Sequence, residues 1–193
     1  MKILFPQREE NLPRDLLKLR SFGLTIDWCE NLRSYKKLIP AIEKYPDDII
    51  VTADDDIFYH PDWLKILYDE HVQYPDCVVA HRCQRIRIDT QGKFYSYNAW
   101  PVNNKPSNIP PTQLYCNFLT GVGGVLYMKK FLHGDILRRD IFKELAPTAD
   151  DIWFWAMAVL NGAKIKIPAA AQSKLIYVDL DMQQSGETLW STN

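Results

Sequence analysis

The run Ile49-Ile50-Val51-Thr52-Ala53-Asp54-Asp55-Asp56-Ile57-Phe58-Tyr59 constrains this chain more than any other. A short apolar, β-branched segment leads directly into three consecutive carboxylates. Such a segment reads as a strand buried on both faces, the kind that parallel sheets contain. Open α/β sheets bind their ligands just outside the carboxyl ends of the strands, which is where these aspartates fall. Three adjacent like charges repel one another, and a strand end does not need three of them for solubility. A divalent cation relieves that repulsion, because carboxylate oxygens suit Mg²⁺ or Mn²⁺. An acidic turn that only ends a strand is the plainer alternative.

The segments around this run alternate between strand and helix. Lys2 to Phe5 reads as a strand stub, Arg14 to Leu19 as a helix opened by Pro13, and Leu24 to Trp28 as a strand. Ser34 is placed to cap a helix over Tyr35 to Lys44. After the aspartates, an amphipathic helix runs from His60 to Val72, and Cys77 to Ala80 is a further apolar strand. Gln84 to Ile88 alternates, with Arg85 and Arg87 on one side; Arg82, Arg85 and Arg87 are candidates to neutralise phosphate, with a solvated face expected for at least two of them. Residues 89–113 lack periodicity, and so long a segment is expected to act as a mobile lid. Phe131 to Glu144 and Pro147 to Asn161 read as helices, and Lys164 to Ile167 and Leu175 to Val178 as late strands. The tail from Gln183 to Asn193 is polar and offers little to pack. Strand and helix alternating in this way predict a single α/β domain with a mostly parallel sheet.

Composition limits the partners. The 193 residues suffice for one substantial core, and a net charge of −1 lacks the basic excess that nucleic acid demands. The longest wholly apolar run, Trp153 to Leu160, falls far short of the ~20 residues a membrane span needs. Cys29, Cys77, Cys83 and Cys116 form no C-x-x-C pair and are expected to be free thiols of a reducing cytosol.

Two more stretches carry polar chemistry. Asp150-Asp151 precedes Trp153-Phe154-Trp155, so a carboxylate at a helix start faces an aromatic group suited to stack on a sugar ring. Thr148 lies three residues before Asp151, which suits Asp151 to the helix cap and leaves Asp150 free to accept a proton; a register shift of one exchanges these roles. Trp153 or Trp155 is the candidate sugar-facing indole, Trp153 being the one singled out, and plain core is expected for at least one of them. Gly121-Val122-Gly123-Gly124 leads into the strand-like Val125-Leu126-Tyr127. Glycines there mark a bulge or a ligand's close approach to backbone, so Gly123 and Gly124 are candidate acceptor contacts.

Four blocks in order, Ser34-Tyr35-Lys36-Lys37-Leu38, Thr52-Ala53-Asp54-Asp55-Asp56, Gly121 to Tyr127, and Ala149-Asp150-Asp151-Ile152-Trp153, make the chain resemble a GT-A type nucleotide-sugar glycosyltransferase. More narrowly, it resembles the bacterial family-2-like enzymes that build surface polysaccharide. The resemblance implies a GT-A-like, Rossmann-like sheet flanked by helices. It also implies Mn²⁺ or Mg²⁺ held by Asp54 and Asp56 on the diphosphate of the donor, a UDP-sugar above all. Donor contacts fall to Asp54, Asp55 and Lys37, and the general base of an inverting transfer to Asp150 or Asp151. The acceptor is a glycan or lipid-linked glycan, reached from the cytoplasm or at the inner face of the membrane. Measured against that family, the chain is expected to lack the first nucleotide-binding strand and to stop short at Thr192-Asn193. A haloacid-dehalogenase type phosphohydrolase, or a sugar- or nucleotide-binding domain without catalysis, would share the acidic blocks.

Overall fold

The computed structural model describes residues 2–5, 12–103, 115–171 and 176–178. Its central sheet has four strands in the order Lys164–Lys166, Cys77–Ala80, Val125–Tyr127, Ile50–Thr52. In chain order the strands of the protein are β1 (Lys2–Phe5), β2 (Thr25–Trp28), β3 (Ile50–Thr52), β4 (Ile57–Phe58), β5 (Cys77–Ala80), β6 (Cys83–Arg85), β7 (Val102–Asn103), β8 (Asn117–Leu119), β9 (Val125–Tyr127), β10 (Lys164–Lys166) and β11 (Ile176–Tyr177). The helices are α1 (Arg14–Lys18), α2 (Ile39–Lys44), α3 (Trp63–Gln73), α4 (Arg139–Leu145) and α5 (Asp150–Leu160).

The architecture is α/β, but the sheet is mixed, which corrects the expectation of a mostly parallel one. β10 runs parallel to β5, while β9 is antiparallel to both β5 and β3. β3, α3 and β5 still form a strand-helix-strand unit. However, β9 is inserted between its two strands after an excursion through a second, antiparallel sheet of order β7-β6-β8. That insertion joins segments far apart in sequence, so local periodicity carried no sign of it. β1 pairs with β2 in parallel, and β4 with β11 antiparallel.

Period-two alternation explains why strands β5 and β9 are apolar throughout. Val78, Ala80, Val125 and Tyr127 face one side, where they pack with Leu38, Ile39 and Ile42 of the α2 region and Phe154, Met157 and Ala158 of α5. Val79 and Leu126 face the other side and meet Leu67 and Trp63 of α3. Helices therefore cover both faces. β3 differs from the expectation of a doubly buried strand: it lies at the sheet edge, Ile49 is exposed, and Ile50 and Val51 are only half-buried.

Several helix expectations change in detail. Ser34 caps nothing; a 3₁₀ turn over Arg33–Lys37 precedes α2, and the Ser34 hydroxyl is buried without a hydrogen-bond partner. Two 3₁₀ turns, Lys129–Phe131 and Gly134–Leu137, stand where one long helix was expected before α4. Within 89–113, the described residues 89–103 are not structureless: they hold a 3₁₀ turn at Tyr97–Ala99 and β7, which pairs with β6. The rest of the expected lid and the polar tail lie outside the described residues. All four cysteines are free thiols.

Candidate acidic site at the end of β3

The three consecutive aspartates separate as soon as the chain leaves the sheet. Thr52 ends β3, buried, with its hydroxyl donating to the Val125 carbonyl at 3.4 Å. Two residues on, the Asp54 N–H donates to the Tyr59 hydroxyl at 2.8 Å, and the Tyr59 ring packs at 4.4 Å on Trp63. This folds residues 53–59 back on themselves and turns the Asp54 carboxylate inward. Asp55, at the turn, is exposed. Asp56 is half-buried, and its carbonyl accepts from Val178 N–H at 2.8 Å.

Lys37 meets Asp54 from the 3₁₀ turn that precedes α2. Tyr35 anchors that turn: its ring stacks on Phe142 at 4.0 Å, stands edge-on to Phe154 at 5.6 Å, and its hydroxyl donates to the Ala146 carbonyl at 2.6 Å. With Tyr35 so held, the Lys37 ammonium lies 3.1 Å from Asp54 Oδ1 and 3.2 Å from Asp150 Oδ2. Asp151 completes the group, its Oδ1 accepting the Gly121 N–H at 2.9 Å. A β-carbon on Gly121 would lie 2.7 Å from Lys37 Nζ and 2.9 Å from Asp151 Oδ1, so a larger residue here would displace these two side-chain ends. Asp54, Lys37, Asp150 and Asp151, drawn from three separate regions of the chain, thus converge.

Burial shapes the charge states. It pushes the Asp151 carboxyl up to about 7; neighbouring Asp150 adds to the rise, while Lys37 and the Gly121 N–H oppose it. Burial alone would lower the Lys37 ammonium, but the fields of Asp150, Asp151 and Asp54 outweigh it and raise the group. Asp150 is 6% exposed, and its Oδ2 has no hydrogen-bond partner although Lys37 is within ion-pairing distance.

The capping role expected of Asp151 is not filled by either acid. α5 begins at Asp150 with Ala149 as its N-cap and no side-chain cap, so Asp151 is not held at the helix start. It reaches across to Gly121 instead, half-buried, whereas Asp150 is the more enclosed of the two. Trp153, the expected sugar-facing indole, is a core residue: 5% exposed, with its Nε1 donating to the Ile136 carbonyl at 3.1 Å. Trp155 is the half-buried indole, beside Phe118 at 5.8 Å. The glycines also have a structural task. Gly123 and Gly124 both adopt φ of 96°, and a β-carbon on Gly124 would lie 2.7 Å from Trp63 Cζ3. The close approach at Gly124 is made by Trp63.

Gly124→Ala is accordingly expected to destabilise the fold by on the order of 3 kcal/mol, combining a left-handed backbone with an overpacked indole. Urea unfolding checks it, and a loss below about 1 kcal/mol would mean that Trp63 moves aside freely.

Tyr59 and Tyr97 belong to the surroundings of the site but were given no role from sequence, whereas Gly121 lay within the glycine block. Tyr59 closes the same stretch as the acid run, after Ile57-Phe58, which was a usable signal. Tyr97 carried none: burial raises its phenol, Arg82 lowers it and Asp151 raises it, which places it within the field of the acidic group. Arg82 and Arg85 are not on a solvated face; their guanidinium groups donate to Thr120 Oγ1 and Asn117 Oδ1, both at 2.9 Å. Arg87 is exposed as expected, over the Tyr95 ring at 4.7 Å.

The expected metal does not match a centre held by the chain alone. Among the described residues no group of three or more His, Cys, Asp or Glu side chains is arranged to hold an ion. Of the two expected ligands, Asp54 is already paired with Lys37, and Asp56 is half-buried past the exposed Asp55. An open cleft of about 590 Å³ lies beyond the end of β2, lined by Asp27, Trp28, Glu30, Glu43, Lys44 and Arg139 among others, but it shares no residue with the acidic group. Its charges are matched, Arg139 with Glu30 and Glu43 at 2.8 Å each and Lys44 with Asp27 at 2.9 Å. The acidic group is therefore the better candidate for chemistry.

No helix among the described residues is long and apolar enough to cross a membrane. No protein-family model and no curated protein matches the chain.

Proposed function

We propose that the protein is a GT-A-like glycosyltransferase that moves a sugar from a nucleotide donor, a UDP-sugar foremost, to a hydroxyl of a glycan or lipid-linked glycan. The observation that carries this reading is the convergence of the strand-end acid Asp54 with the helix-start acids Asp150 and Asp151 around one ammonium. A strand-end carboxylate suits a donor, and a raised carboxyl beside it suits proton removal from an acceptor.

In this mechanism Asp151 accepts the proton of the acceptor hydroxyl. That oxygen forms the new bond to the anomeric carbon while the bond from this carbon to the donor diphosphate breaks. The electron pair leaves with the nucleoside diphosphate, and the configuration inverts. Asp54 orients the donor, and Lys37 holds Asp54 and Asp150 together. Three carboxylates against one ammonium leave no positive charge to spare for a diphosphate. A Mn²⁺ or Mg²⁺ ion bound together with the donor would supply that charge, with Asp54 the residue placed to orient it. Surface-polysaccharide synthesis in the cytoplasm, at or near the inner membrane face, is the setting that fits these partners.

The test is release of UDP from a panel of UDP-sugars with Mn²⁺ and oligosaccharide acceptors, followed by mass analysis of the products. A mass gain of one sugar on an acceptor supports the reading. Phosphate release from p-nitrophenyl phosphate without sugar transfer would replace it with the phosphohydrolase. UDP binding without turnover would leave a binding domain.

A further inference from the structure

The Lys37 ammonium lies at hydrogen-bonding or ion-pairing distance from carboxylates of two otherwise separate elements, the end of β3 and the start of α5. Two independent observations mark this position as one that requires a cation. Asp150 is more than nine-tenths buried, and its Oδ2, directed at the ammonium, has no other partner. Gly121 leaves open the space that Lys37 Nζ and Asp151 Oδ1 fill. The separations of 3.1 and 3.2 Å suit an ammonium and are about an ångström longer than the ~2.1 Å that Mg²⁺-sized ions require.

We propose that Lys37 is the built-in cation of the Asp54, Asp150 and Asp151 group, standing where a divalent ion would otherwise join these carboxylates. The chain alone then has no use for a metal. With Lys37 removed, the three carboxylates lose their counter-charge and are free to close on a divalent ion. This inference concerns the nucleotide-free protein and does not depend on sugar transfer.

The test uses Mn²⁺ alone, with no nucleotide, on the full chain. For the wild type, Tm is expected to be the same in EDTA and in Mn²⁺, and calorimetry to show no tight site. Lys37→Met is expected to melt lower than wild type in EDTA, to recover stability in Mn²⁺, and to bind Mn²⁺ at least tenfold more tightly. Lys37→Gln, which keeps length and polarity, is expected to behave in the same way and serves if the Met variant does not fold. Adding Asp150→Asn to either variant should remove the gain in Mn²⁺ affinity, because the group then holds one carboxylate fewer. A wild-type Tm that rises with Mn²⁺ overturns the proposal directly, whichever variants fold. Equal Mn²⁺ affinity in wild type and a folded Lys37 variant overturns it too. The absence of sugar transfer, by contrast, counts only against the proposed function.

Discussion

Asp151→Asn is expected to lower sugar transfer by roughly 10²- to 10⁴-fold, the usual contribution of a positioned general base, while UDP affinity in Mn²⁺ stays nearly unchanged. The amide keeps an oxygen for the Gly121 N–H, so the local structure is retained. Stability should move in the opposite direction. The Asp151 carboxyl rises from 3.8 to about 7 on folding. Between those values the native state holds a proton that the unfolded chain has lost, so this group makes stability fall as pH rises from about 4 to about 7. Above pH 7 the full cost is present, at most on the order of 4 kcal/mol, and the asparagine variant escapes it. The variant should therefore melt higher than wild type at pH 8 and nearly level with it at pH 4. Wild-type transfer should climb through an apparent pKa near 7 as the base ionises. An Asp151→Asn protein that transfers sugar at the wild-type rate removes Asp151 from the mechanism. If Asp150→Asn alone is inactive, the base assignment passes to Asp150.

UDP is expected to bind at least tenfold more weakly in EDTA than in Mn²⁺. Lys37 is engaged by Asp54 and Asp150, so these three groups are already net negative, and Asp151 alongside adds a further negative charge when it ionises. Unit charges about 4 Å apart interact by about 4 kcal/mol near a protein surface, so a diphosphate without a counter-ion is strongly disfavoured there. Asp54→Asn should narrow the difference between the two conditions by removing one of the repelling charges. Titration calorimetry in both conditions decides it, and equal affinities would mean that the diphosphate lies away from these acids. Taken with the nucleotide-free titrations of Lys37 variants, this separates a metal that arrives with the nucleotide from one resident in the chain.

Much of the framework was legible because it is written in local patterns. The alternation of apolar residues and the positions of Pro, Gly and Asp located α1, α3 and α5, and β2, β5 and β10, to within a few residues. The acidic run was recognisable as a strand end for the same reason. The four motif blocks did contain the residues that meet: Lys37, Asp54, Gly121, Asp150 and Asp151. What each does there was not legible. Whether Trp153 or Trp155 faces outward depends on how α5 rolls against Phe142 and Phe118, and helix spacing does not select one.

The sequence by itself determined the elements and the chemical types available at the end of β3, because hydrophobic periodicity and like-charge repulsion act over a few residues. Tertiary structure alone decided that β9 enters the sheet antiparallel between β3 and β5, since that pairing joins segments some tens of residues apart. It also took Asp151 away from the helix start. The Gly121 N–H lies 30 positions away in the chain, and this distant donor, not the helix start, sets where the Asp151 carboxylate points. In the same way, Lys37 became the partner of the aspartates through the stacking of Tyr35 on Phe142, a contact invisible to any local pattern.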